Sequence, residues 1–85
     1  MKIIFHTKFY KQYKKLPADI KVLTETKLNI FSIDPYDPRL KTHKLHGGFL
    51  DYQAFSVNYE YRVIFKFIEK DRAWIYQVGR HDIYD

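Results

Sequence analysis

Three stretches of this 85-residue chain hold side chains that can move protons or grip phosphate. The first is RLKTHKLHGG, residues 39–48, with Arg39, Lys41, His43, Lys44 and His46 and no acid. In extended backbone Lys41 and His43 share one side, and Lys44 and His46 the other. Such an edge can neutralise phosphate charge; the plainer alternative is a solvated basic loop. The second is Glu60 with Arg62, two positions apart on one strand face. Arg62 can offer a planar fork of donors to a phosphate. Glu60 can orient a base, accept a proton or hold Arg62; the plainer alternative is a cross-strand ion pair worth little. The third is His81 with Asp82 and Tyr84. Histidine titrates near neutrality and can shuttle a proton, and tyrosine can stack on an unpaired base. The alternative there is a frayed end bearing a surface histidine.

Other chemistries are missing. There is no cysteine, which excludes disulfides and thiolate metal sites. His43 and His46 lack a third ligand, so no metal and no cofactor are expected. No Gly-rich phosphate loop, Ser-His-Asp set or glycosidase-like carboxylate pair is readable. The remaining His, Arg, Lys and Glu suit cleavage of RNA by its own 2′-hydroxyl. That reaction needs a base for the hydroxyl, cations for charge developing on phosphorus, and an acid for the leaving oxygen. It needs no metal, and it fails on DNA.

The elements that must position these groups follow from periodicity. Residues 2–6 read as a short strand. Thr7 can cap a helix over 7–16, where Phe9, Tyr13 and Leu16 form one face and Lys8, Lys11 and Lys15 the opposite one. The lysines there, Lys14 included, read as a solvated face more simply than as an RNA grip. Pro17 breaks the helix, and a second runs from about Ala18 to Phe31. DPYDP, residues 34–38, is a turn-rich loop. Strands follow over 52–58, 60–68 and 73–79, joined by hairpin-length junctions. Within 60–68, Tyr61, Val63, Phe65 and Phe67 face one way, and Glu60, Arg62, Ile64, Lys66 and Ile68 the other. The expected fold is α+β, one domain over 1–85. Its order is β-α-α-β-β-β, a helical hairpin on a mostly antiparallel four-stranded sheet. One sheet face meets the helices; the other, with Glu60 and Arg62, stays partly open and suits RNA.

Composition agrees. The chain is 46% hydrophobic and 19% aromatic, enough for a small core without staples. Its +5 charge favours a polyanionic partner. Residues 1–48 hold ten Lys and Arg against four acids, and the rest is near balance. No apolar run nears the ~20 residues of a membrane span, and the start does not read as a signal peptide. A cytoplasmic protein is expected.

FYKQYKKLP, then HKLHG, then FSVNYEYRVIFKF, then VGRHDIY, in that order, resemble the RelE/ParE superfamily of bacterial type II toxins, and within it RelE- and YafQ-like mRNA interferases. The resemblance covers nearly the whole chain. It implies a RelE-like microbial RNase fold and a metal-independent, ribosome-dependent endoribonuclease that cuts mRNA in the A site. It also implies a cognate antitoxin as partner, no membrane, and no DNA binding without that antitoxin. By the same resemblance His81 and His43 are acid/base candidates, Arg62 stabilises the phosphate, and Glu60 orients or relays a proton. Lys44, Lys41 and His46 meet the RNA backbone, Tyr84 contacts the mRNA, and Arg80 adds a cation beside His81. Ser56 stands where YafQ-like members carry a second central histidine, which shifts weight to His43 and Arg62. A ParE-like gyrase inhibitor, or an inactive relative that binds only antitoxin, are the alternatives.

Overall fold

A computed structural model describes residues 1–80. The chain forms β1 (Lys2–Phe5), α1 (Thr7–Lys14), α2 (Ala18–Ile33), β2 (His43–Lys44), β3 (Gln53–Ser56), β4 (Tyr61–Glu69) and β5 (Arg72–Arg80). The strands make one sheet in the order β1-β5-β4-β3-β2. β1 runs parallel to β5, and the other pairs are antiparallel. The α+β architecture expected from the sequence is present, with one addition. The basic segment supplies a fifth, two-residue strand, pairing His43 with Ala54 and Lys44 with Gln53.

The helices cover one sheet face. Phe9, Ile20 and Phe31 pack on Phe55, Val63, Phe65, Ala73, Ile75 and Val78. Phe31 is the hinge of this core, with ring centroids 4.9 Å from Phe55 and 4.6 Å from Phe65. Tyr61 and Phe67 flank it, as the period of two in β4 predicts. Thr24 is buried in α2, and its hydroxyl donates to the Ile20 carbonyl, so no polar group is orphaned there.

The opposite face has its own smaller cluster of Leu45, Ala54 and Ile64, with Phe49, Tyr52 and Tyr76 against it. Among the described residues it contains none from α1 or α2. Cross-strand neighbours share a face. The row Ser56–Arg62–Gly79 therefore lies on this helix-free side, next to the row Ala54–Ile64.

Two local devices differ from the sequence reading. The α1 cap is His6, whose Nδ1 accepts from the Lys8 amide at 2.9 Å, and Thr7 is already inside the helix. In β5 the register shifts where Ile64 pairs with Gln77 and Phe65 with Ile75. The extra residue, Tyr76, is a bulge. It brings Val78 into the core beside Ile75. β1 stops at Phe5, opposite Ile75, so beyond that point no strand among the described residues flanks β5 on that side. Gln12 from α1 takes its place. Its Oε1 accepts from the Val78 amide at 2.9 Å, and its Nε2 lies 3.3 Å from the Gln77 side-chain oxygen.

Candidate RNA-facing site

Arg62 stands near the start of β4, on the helix-free face. The turn that delivers it is built by Asn58, whose side-chain oxygen accepts from the Glu60 and Tyr61 amides at 2.9 and 2.8 Å. Asn suits such a turn because its side chain mimics the backbone. The turn then returns to Arg62, whose Nη1 donates to the Asn58 and Tyr59 carbonyls, both at 3.3 Å. The Arg62 Nε is buried and has no hydrogen-bond partner among the described residues. A guanidinium with long bonds on one nitrogen and an unpaired N–H on another has donor capacity left for an oxyanion.

Glu60 does not hold Arg62. It precedes the first bridged residue of β4, so strand alternation does not fix its direction. Its carboxylate instead accepts from Arg80 at 2.7 Å. Arg80 also lies over the Tyr61 ring, 5.9 Å from its centroid. Both charges are largely exposed, so the pair orients two side chains more than it stabilises the fold.

His43 sits on the sheet edge, exposed, in the row that crosses Ala54 and Ile64. It shares the face of Arg62, two strands away, or roughly 10 Å in the hydrogen-bonding direction. Its Nδ1 lies 3.0 Å from the Lys41 carbonyl. A carbonyl can only accept, so Nδ1 carries the proton and Nε2 is left to take one. Lys41 presents that carbonyl from a left-handed conformation, with φ of 52°.

That left-handed turn also overrides the alternation read from the sequence. Lys41 ends a short 3-10 turn and does not continue the strand face of His43. Lys44 and His46, by contrast, line one cleft of about 360 Å³ with Leu45, Leu50, Asp51, Tyr52 and Gln53. Arg39 is committed elsewhere. It grips Asp37 through Nε at 3.0 Å and Nη2 at 2.9 Å. Those bonds hold the Asp37 carboxyl down to about 2. His81 and Tyr84 lie outside the described residues. Among the described residues no group of three or more His, Cys, Asp or Glu could hold a metal ion. No helix among them is long and apolar enough to cross a membrane.

No family model matches the chain, and no curated protein does. Solved structures do match. The YoeB/ParE toxin from Agrobacterium tumefaciens superposes with a TM-score of 0.78 at 16% identity, over 95% of this chain and 99% of that one. YafQ from E. coli gives 0.74 at 20% identity, over 93% and 91%. A chain of the heterotetrameric YoeB-YefM toxin-antitoxin complex from Staphylococcus aureus gives 0.75 at 16% identity, over 95% and 97%. The fold is that of the YoeB and YafQ toxins. The resemblance read from the sequence motifs therefore extends to the architecture, over 91% or more of each chain compared.

On this toxin fold the sequence reading missed one group. Tyr52, Trp74 and Tyr76 form a contiguous aromatic patch on the helix-free face. Trp74 and Tyr76 stack at 5.4 Å, and Tyr52 meets Tyr76 at 5.5 Å. His6 stands edge-on to Trp74 and Tyr76 at 5.1 and 5.2 Å. The signal in the sequence was slight: one Trp two residues before a Tyr, on a strand whose alternation is broken by the bulge.

Proposed function

We propose that the protein is the toxin of a type II toxin-antitoxin system and acts as a ribosome-dependent endoribonuclease on mRNA in the A site. The observation that carries this reading is Arg62: a partly buried guanidinium with unused donors, on the helix-free sheet face of a YoeB/YafQ fold. In the proposed reaction the RNA 2′-oxygen attacks the adjacent phosphorus and the bond from phosphorus to the 5′-oxygen breaks. The products are a 2′,3′-cyclic phosphate and a 5′-hydroxyl. His43, with Nε2 free to accept, takes the 2′-hydroxyl proton, and His81 returns one to the leaving 5′-oxygen. Arg62 stabilises the charge gathering on the phosphoryl oxygens. Glu60 keeps Arg80 in place beside that path. Lys44 and His46 hold the RNA backbone at the β2 edge, and Tyr84 contacts a base. The steps as written use no metal. An antitoxin that covers this face would silence it, by analogy with the YoeB-YefM pair.

The test is induced expression followed by mapping of mRNA 5′ ends. Wild-type protein should arrest growth and leave cuts within translated codons. Arg62→Ala should fold normally and lower cleavage about 100-fold or more, the usual loss when one donor to the developing charge is removed. Undiminished cleavage in that variant would reject the role of Arg62. A DNA-damage response with intact mRNA would reject the ribonuclease reading in favour of gyrase inhibition.

A further inference from the structure

The aromatic patch on the helix-free face is more than a lid on the small core. Tyr52, Trp74, Tyr76 and His6 all remain partly exposed, in a ring cluster spanning β5, the approach to β3 and the β1–α1 junction. Its polar company is cationic. The Lys66 ammonium lies 5.2 Å from the Tyr52 ring centroid and 5.5 Å from that of Trp74. The Lys8 ammonium lies 5.2 Å from that of Tyr76. Among the described residues neither lysine forms an ion pair with a carboxylate.

We propose that this patch is a stacking platform for unpaired bases of single-stranded RNA, separate from the residues that would do the cleavage. Aromatic faces next to flexible cations are what single strands need. Bases stack on rings regardless of sequence, and the cations follow the phosphates. Among the described residues, the Lys66 and Lys8 ammonium groups meet the rings and no carboxylate. An incoming base takes the ring face, and the ammonium moves to the adjoining phosphate, so neither group is left unpaired. The charge is complementary to RNA and opposed to a cationic ligand. Position agrees as well. Lys66 lies four residues along β4 from Arg62 on the same face, roughly 13 Å away. That is the reach of about two nucleotides, so one strand can touch both places. The proposal rests on the RNA reading above but not on its cleavage step.

Trp74 is the only tryptophan, so the platform carries its own reporter. The assay is tryptophan fluorescence of the free protein, titrated with a 2′-O-methyl octanucleotide, which cannot be cut through its 2′-oxygen. Saturable quenching is expected, weakening steeply with salt. Lys66→Glu should weaken binding about fivefold with an unchanged circular-dichroism spectrum. An abasic strand of equal charge should bind at least tenfold more weakly, because stacking is lost. Equal affinity for the abasic strand would overturn the proposal, since binding would then be charge alone. Equal quenching by an acidic peptide would also overturn it, in favour of a protein partner. No quenching of the wild-type protein by the octanucleotide, with intact mRNA cutting, would remove this proposal and leave the cleavage reading standing. Loss of cutting with intact oligonucleotide binding would do the reverse.

Discussion

Among the described residues, Arg62 and His43 are held by backbone carbonyls, not by carboxylates. The Asn58 and Tyr59 carbonyls hold Arg62, and the Lys41 carbonyl fixes the His43 tautomer. Among the described residues neither forms an ion pair with a carboxylate. Arg39 is the contrast: its two bonds to Asp37 make it a structural cation that closes the turn after α2. This has a pH consequence. The Arg39 bonds lower the Asp37 carboxyl to about 2, below its unfolded value. The linked stability is present above about pH 4 and is lost as pH falls through about 2. Asp37→Asn should therefore lower Tm slightly at pH 6, with the gap to wild type closing near pH 2. A gap that stays constant with pH would contradict the linkage. At this scale the period of two in residues 60–68 was enough to place Arg62 on the right face. The partner of Glu60 was not legible, because Glu60 precedes the regular strand and Arg80 reaches it from β5, twenty residues on.

The helices and long strands were legible because their apolar spacing is strong and local. The β2 pairing was not, since two residues carry no period. The bulge at Tyr76 was not either, since it breaks the period of two between Ile75 and Val78 and nothing local in the sequence marks which residue is the extra one. The same bulge explains why Gln77, a polar side chain, is buried without penalty beside α1. Gln12 is its partner and also satisfies the Val78 amide, so one side chain joins α1 to the unpaired stretch of β5. Removing it leaves a backbone N–H and a buried amide unsatisfied, a cost of about 1–3 kcal/mol. Gln12→Ala should lower the urea midpoint accordingly with an unchanged slope. Lys11→Ala, one position away and exposed, should stay within about 0.5 kcal/mol of wild type. If the two variants matched, the edge of β5 would not depend on Gln12.

Across the whole molecule, charge is segregated by element. The first 48 residues hold most of the cationic excess, and much of it lies on α1. Lys8 belongs to the aromatic patch, whereas Lys11, Lys14 and Lys15 are exposed on the helix and just past its end. Sequence periodicity left two readings of these three open, a solvated face or a grip on ribosomal RNA. They differ in one measurable quantity. A cation that neutralises a phosphate releases a counterion, so it adds about 0.7–0.9 to the slope of log affinity against log salt. A solvated lysine adds nothing. Replacing all three with Gln removes the charge without introducing repulsion at the helix C-terminus, where a carboxylate would oppose the dipole. If α1 docks on ribosomal RNA, the triple variant should bind ribosomes with a slope shallower by about 2–3 and nearly unchanged thermal stability. An unchanged slope would leave docking to other cations, Lys66 and Arg62 on the helix-free sheet face and Lys44 at the β2 edge.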